Sequence, residues 1–458
     1  MRTHRQFLII CGLVAAICLT CAHHPTKMHK VRALMTRGDY GRALEEFLEI
    51  GGSEGDALYL LEKGLLLHYV GEYQQSNEVF DRAEILSEDL YTKSISREAA
   101  ALLTSDLALE YVPKPFEQVL INYFRALNYT FLGMKEDALV ECRKASDKLA
   151  LYSEEDKRPY RRDAFIERLT GILYEWDGDI NDAFISYRNA ISDYHVYSDV
   201  FGIPGPDQLT CDVLRTASAI GFTDEVSRIS DEDQRRCAAE RDSVDLAKVV
   251  VFIEQGFVPP KEELAVNVPI LKSEAKKTGL DPFAFSLGIH SRIYGHAFDT
   301  DDIAYFLRVA VPWYPDRPAP RVTPVLYLDS LAVRASLSED IFAISKAEHD
   351  HDMPKIVAKT LARALIKYKA SDKAEDKWGK LAGTLVNLAA AATEQADLRG
   401  WLSLPRAIYT AVLYVEPGTH VLALDAPALH GASEIQWVGL EARAGGTSFI
   451  RFRTYDPD

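Results

Sequence analysis

One short phrase recurs along the N-terminal half of this chain and constrains its fold more than any bulk property does. The phrase is Gly, an acidic or polar residue, then an aromatic or aliphatic one. A small residue follows five places after the Gly, and a bulkier core residue four places beyond that. The first copy is Gly38-Asp39-Tyr40 with Ala43 and Phe47, and the second is Gly71-Glu72-Tyr73 with Ser76, Phe80 and Ala83. The third is Gly133-Met134-Lys135 with Ala138, Cys142 and Ala145, and the fourth is Gly178-Asp179-Ile180 with Ala183, Tyr187 and Ala190. Seven residues ahead of the later glycines stand Gly64, Ala126 and Gly171; four ahead stand Leu67, Tyr129 and Tyr174. This spacing describes a helix, a tight turn and a second helix. The Gly ends the first helix in a conformation that a side chain opposes. The small residues let paired helices approach, and the bulkier residue is expected to fill the gap between one pair and the next. Cys142 and Ser76 depart from the pattern.

The pattern resembles the tetratricopeptide repeat, a helix-turn-helix unit of about 34 residues that buries its apolar face only by stacking on neighbours. Copies one and two lie about one repeat apart, while the later copies are separated by further helical sequence around 84–118 and 146–163. A second resemblance rests on residues 106–133, DLALEYVPKPFEQVLINYFRALNYTFLG. There Tyr111, Pro113, Phe116-Glu117 and Ala126-Leu127-Asn128-Tyr129 are similar to the hallmark block of a poorly characterised family of bacterial lipoproteins with such repeats. That family ends in a strand-rich domain with Trp-x-x-Leu-Pro and Pro-Gly-Thr phrases, matched here by Trp401, Leu404-Pro405 and Pro417-Gly418-Thr419. The resemblance implies an envelope location and no known enzyme activity. It supplies no partner.

In repeat arrays of this kind the first helix of each pair lines a concave surface. The positions expected to face it are Leu65, His68 and Tyr69, then Leu127, Thr130 and Phe131, then Ile172, Glu175 and Trp176. Tyr123 and Arg168 lie a further turn back. Aromatic residues and Arg dominate the energetics of binding interfaces. His68, Tyr69, Tyr123, Phe131, Arg168, Glu175 and Trp176 are therefore the candidate partner-binding residues. The alternative is that neighbouring helices cover them.

The N-terminus reads as an export signal. Arg2, His4 and Arg5 precede an uncharged apolar run from Phe7 to Thr20. The run is shorter than the roughly 20 residues that span a membrane, and the order basic, apolar, cleavage site is that of a secretory leader. Cys18-Leu19-Thr20-Cys21 is a loose version of the lipoprotein cleavage box, so Cys21 is the expected lipidation site. Ordinary cleavage after Ala22 is the alternative. Ala22, not Asp, follows the cysteine, which favours the outer membrane.

The chain has 458 residues and a formal net charge of −16. Such a surface repels polyanions, so no nucleic-acid partner is expected. Beyond the leader, Cys142, Cys211 and Cys237 remain beside Cys21. An oxidising compartment allows a Cys211–Cys237 disulfide, and no paired CxxC suggests zinc.

The composition changes after Tyr197. Residues 202–207 form a turn-rich linker, followed by helical sequence around 208–219 and 223–240. Lys248–Ile253 reads as a buried strand, with further strands at 265–271, 322–334, 406–414, 420–424, 434–442 and 447–454. The Ala- and Leu-rich stretch 336–396 reads as a buried helix pair. The expected organisation is a signal peptide (1–20), a helical repeat domain (21–200), a helical connector (201–247) and a strand-rich domain (248–458). The last is β-sandwich-like, with an inserted helical pair at 336–396, and the strand near 250 joins the later ones. The fold class is thus an α-helical repeat superhelix followed by an α+β domain.

Other candidate sites read more simply as structure. His349-Asp350-His351-Asp352 is dense in metal ligands, but adjacent residues point in different directions. It is expected to be an exposed loop between helices, with Asp352 as a cap before Met353-Pro354. His23-His24 is tether, and Gly445-Gly446-Thr447 a strand turn without the Lys and helix of a phosphate loop. No cofactor or metal is expected. The expected role is a non-catalytic envelope scaffold with envelope proteins as partners and the membrane held through a lipid. A binder of cell-wall or exported glycan is the alternative.

Overall fold

The computed structural model describes residues 24–101, 106–156, 162–238, 245–271, 303–315, 323–329, 331–378, 395–427 and 433–455. The leader, Cys21 and His23 lie outside these. Among the described residues no helix is long and apolar enough to cross a membrane.

The N-terminal half is a stack of helical pairs. They are α1 (His24–Thr36) with α2 (Tyr40–Ile50), α3 (Ala57–Val70) with α4 (Tyr73–Ala101), α5 (Pro115–Phe131) with α6 (Lys135–Asp156), and α7 (Ala164–Asp177) with α8 (Ile180–Phe201). The recurring phrase has a direct local explanation. Gly178 ends α7 in a left-handed conformation at φ 95°, donating its N–H to Tyr174 and Glu175 carbonyls. The acidic residue after it then caps the next helix: the Asp179 side chain accepts from the Asp182 N–H, as Asp39 does from Arg42. One residue stops a helix and the next starts one, which makes the turn short.

The small residues work as expected, with one correction. A Cβ on Gly64 would lie 2.6 Å from the Phe80 ring, and one on Gly171 would lie 2.6 Å from the Tyr187 ring. The aromatic therefore fills space within its own pair before it reaches the next. The volumes compensate: where Ala126 replaces Gly, the smaller Cys142 replaces the aromatic. Ser76 also has its reason, since its hydroxyl donates to the Gly64 carbonyl at 2.8 Å and accepts from Asn128 at 2.9 Å.

The array continues past its expected end. Helix α9 (Gln208–Ala219) turns at Gly221, φ 77°, into the short α10 (Thr223–Arg228), and α11 (Asp231–Arg236) follows. Ser230 caps α11 by accepting from the Asp233 N–H, which divides the helical sequence expected around 223–240 into two short helices. Cys211 and Cys237 form a disulfide, with Cα atoms 5.2 Å apart and a sequence separation of 26, tying the end of this segment to α9. Closing a loop of that length is worth about 3.5 kcal/mol in the chain-entropy account. Cys142 is free and buried.

The C-terminal half is mixed α+β. Strand β1 (Ala247–Gln255) lies between β10 (Thr447–Thr454), which runs parallel to it, and β7 (Ala407–Val415), which runs antiparallel; β6 (Ser336–Asp340) pairs with β7. A second sheet has the order β5 (Leu331–Arg334), β4 (Val325–Leu328), β8 (Gly418–Pro427), β9 (Ser433–Ala442), and a two-stranded sheet joins β2 (Glu262–Leu271) to β3 (Ile303–Trp313). The two four-stranded sheets share a core of Val249, Val251, Ile253, Leu413, Ile450, Leu422 and Leu424 among others. The strand near 250 thus joins the later strands, as expected.

Three expectations for this half need correction. Residues 336–340 are strand, and α12 (Ile341–Trp378) begins only after them; residues 379–394 lie outside the described ones. Strand β3 was not anticipated at all. The His349–Asp352 run sits inside α12, not in a loop, so Asp352 does not stand at a helix start. His349 is buried with Nε2 3.0 Å from the Pro312 carbonyl oxygen, Asp350 pairs with Lys346 and Asp352 with Lys114. Among the described residues no group of three His, Cys, Asp or Glu is placed to hold a metal.

Candidate functional site: the occupied groove

Alternation along a strand sends successive side chains to opposite faces. On β1, Ala247, Val249, Val251 and Ile253 enter the sandwich core, whereas Val250 and Phe252 join the core of the helical array. Lys248 and Glu254 share that second face. The registers carry the same face across the sheet: Lys248 pairs with Tyr414, Phe252 with Thr410 and Arg451, and Glu254 with Ile408 and Arg453. The first sheet is therefore buried on both sides, with one face on its partner sheet and the other in the concave surface of the array.

Each groove residue named from the sequence is found at this contact or beside it. Tyr69, Tyr123, His68 and Arg168 are buried; Phe131, Glu175 and Trp176 are partly buried. The cover is the chain's own sheet and not the neighbouring helices alone. The Arg168 guanidinium donates to the Thr410 hydroxyl and lies 3.7 Å from Asp212. Glu175 pairs with Lys248 and Arg215 and accepts from the Tyr187 hydroxyl at 2.9 Å. Burial pushes the Glu175 carboxyl up, but the two cations outweigh it and bring it down to about 2. Trp176 meets the Phe449 ring edge-on at 5.0 Å and lies beneath the Lys135 ammonium. Phe131 stacks on Tyr73 at 5.1 Å.

The centre of the groove holds an unusual set of charges. Arg451 and Arg453 lie over the Tyr69 ring at 4.9 and 5.5 Å. Glu254 is fully buried beside them. Burial raises its carboxyl, and the two guanidiniums pull it only part of the way back. The Tyr69 and Tyr123 hydroxyls also favour its charge. His68 has its Nδ1 2.6 Å from the Asn128 side-chain oxygen, and burial followed by the Arg451 charge lowers its basicity well below normal.

A second contact was not anticipated from the sequence. Residues 395–405 run without regular structure along α3 and α5. Two carboxylates grip their backbone. Glu62, fully buried on α3, accepts from Leu402 N at 2.7 Å, Ser403 N at 3.2 Å and the Ser403 hydroxyl. Glu117 on α5 accepts from Trp401 N at 3.1 Å and from the Tyr111 hydroxyl at 2.7 Å. Between them Trp401 packs edge-on against Phe80 and Phe124, each at 5.8 Å. The Trp-x-x-Leu-Pro phrase is thus the segment that seats the C-terminal half in the array. The signal available in the sequence was a pair of acidic residues, Glu62 and Glu117, on otherwise apolar helical faces.

No family model matches the chain, and no curated protein matches it. Solved structures resemble the repeat half. A crystal structure of MamA is 14% identical, with 46% of this chain and 94% of that chain covered at a TM-score of 0.30. A Podosopora anserina putative kinesin light chain with nearly identical TPR-like repeats is 11% identical, covering 48% of this chain and 99% of that chain at 0.33. Aspartyl phosphate phosphatase F from Bacillus subtilis is 12% identical, covering 48% and 51% at 0.32. At these scores the likenesses carry no argument about what this chain does. The repeat architecture rests on the helical pairs themselves.

Proposed function

We propose that this chain is a non-catalytic scaffold of the bacterial cell envelope. In this reading a lipid on Cys21 tethers a single array-and-sandwich body to the periplasmic face of the outer membrane, where it binds other envelope proteins. The observation that carries the scaffold reading is the occupation of the repeat groove. Its aromatic, Arg and Glu residues are spent on the chain's own sheet, so the array serves as a cradle that presents the outer sheet. The leader, the loose lipid box and the Cys211–Cys237 disulfide support an exported, oxidising location.

The outer face of the second sheet is the surface so presented. Trp437 is 65% exposed, and Tyr327 lies two strands away across Ala423. Val421 and Ile435, also exposed, flank them. We expect Trp437→Ala to leave the melting temperature unchanged and to deplete partners recovered by crosslinking in the native host. A hot-spot Trp carries about 2 kcal/mol or more, roughly a thirtyfold loss of affinity. Full recovery of every partner would remove this face from the proposal.

The same face favours a second reading, glycan binding. Two strand spacings place the Trp437 and Tyr327 backbones about 10 Å apart, and exposed rings on a flat face stack on sugars. Retention on purified wall material, lost in Trp437→Ala, would select this reading over protein scaffolding.

Anchoring has its own test. Cys21→Ser is expected to abolish labelling by a radioactive fatty acid and to release the protein from membranes. Undiminished membrane retention would remove the lipid tether.

A further inference from the structure

A small cavity of about 10 Å³ lies where the array meets the sheet domain. That is close to the lower limit for holding one water. Its walls are apolar side chains of α5, α6 and α12, Phe116, Leu149 and Ile341 among them, and two carboxyl groups, Asp163 and Glu339. The two acids come from opposite sides of the junction. Asp163 precedes α7 of the array and caps it by accepting the Ile166 N–H at 2.9 Å. Glu339 stands on β6, the edge strand of the first sheet, and is 2% exposed. Its Oε2 is buried and makes no hydrogen bond. Next to Glu339, the Ser338 carbonyl accepts from the Tyr194 hydroxyl of α8 at 2.9 Å, so β6 is held directly to the array.

We propose that Asp163 and Glu339 form a proton-operated latch between the helical array and the sheet domain, closed when the pair is protonated and loosened when it ionises. An ionised carboxylate in an apolar cavity loses its hydration, and a second one beside it adds repulsion. The surroundings relieve this only in part: the Ile166 and Phe165 N–H groups and the Tyr197 hydroxyl favour the Asp163 charge, and the buried Arg168 of α7 acts on Tyr194, as Glu339 does. From α7 comes Glu167; from α8 come Asp193, Tyr194 and Tyr197; β6 adds Asp340; and Tyr123 of α5 senses Glu339. Arg162 acts on Glu167 and Asp193, and Arg406 on Asp340. The α6 and α12 walls contribute apolar side chains, Leu149, Ile341 and Ile344.

The direction of the effect follows. Burial raises Asp163 to about 6 from 3.8, and burial, then Asp163 and Asp340, raise Glu339 well above its ordinary value. Both groups hold their protons more tightly in the folded protein than in the unfolded chain. Their stabilisation is complete below the unfolded values and is lost as the pH rises through the folded ones. The latch is therefore tight in acid, and the Asp163 contribution is lost between its ordinary value of 3.8 and about pH 6. A rise from 3.8 to about 6 corresponds to roughly a hundredfold change in the opening equilibrium for Asp163 alone.

Hydrogen exchange on the full chain reads that equilibrium. After correction for intrinsic exchange, the β6 amides should open roughly tenfold more at pH 8 than at pH 5 from Asp163 alone, with Glu339 adding to the rise, while β8 and β9 amides of the outer sheet change little. Glu339→Gln and Asp163→Asn keep shape and the helix cap but cannot ionise, and the double variant should show no such rise. Wild-type β6 amides that change no more than those of β8 and β9 would overturn the latch. So would a double variant that keeps the full rise. If Asp163→Asn fails to fold, Glu339→Gln alone must still reduce the rise for the latch to stand.

Discussion

Trp401→Ala is expected to destabilise the protein by about 3–5 kcal/mol, the cost of removing a large aromatic from a packed core. Trp401 is 2% exposed and sits between Phe80 of α4 and Phe124 of α5, with its indole N–H on the Ser403 hydroxyl at 3.1 Å. The surroundings collapse poorly onto such a cavity, because Glu62 and Glu117 hold the backbone on either side of it. The consequence reaches beyond one side chain. Trp401 belongs to the segment that seats the sheet domain in the array, so its loss should lower the stability of both halves together. Urea unfolding followed by far-UV circular dichroism and by Trp fluorescence would show it. A loss below about 1 kcal/mol would mean that the seating described here is not what joins the halves.

Ala183→Glu is expected to cost a similar amount or more. Ala183 is fully buried at the small-residue position of α8. A glutamate there must bury an unpaired charge, which costs several kcal/mol, or force the helices of its pair apart. The neighbouring close approach of Gly171 to Tyr187 leaves no room for the second route without disrupting that contact. A thermal melt and near-UV circular dichroism measure the effect. An unchanged melt would show that the repeat register is wrong.

The repeat half was legible because its signals are local. A stop at Gly178, a cap at Asp179 and a small residue at Gly171 act within one helical pair, so their spacing survives in the linear sequence. Strands β7 to β10 were legible for the same reason: alternation and flanking turns mark their ends to within a few residues. Strand β6 was not. Ser336-Leu337-Ser338-Glu339-Asp340 has no strand character of its own and is a strand because β7 offers it a hydrogen-bonding edge. The His349–Asp352 run was misplaced because Pro354 was read as a helix start, whereas α12 carries it in its interior.

The groove residues were chosen by their position in the repeat, and their environment was not foreseeable from position. Repeat periodicity says which side chains face the concave surface; it says nothing about what lies on it. One clue was present. Lys248 and Glu254 flank the apolar run of β1 on one face, and Arg451 and Arg453 occupy the matching face of β10. Charges at alternate positions of buried strands imply that this face meets other polar groups.

By itself, the sequence determined the helical pairs, their turns, the register of small and bulky residues, and the strand-rich character of the C-terminal half. All of these depend on contacts between residues near in the chain. Only the tertiary structure decided that the groove is filled by the chain's own sheet, that Glu62 and Glu117 hold residues 401–403, and that Asp163 meets Glu339. These contacts join residues that are hundreds of positions apart in several cases. Such pairs form because two complete surfaces fit each other, and that fit leaves no periodic trace in either segment.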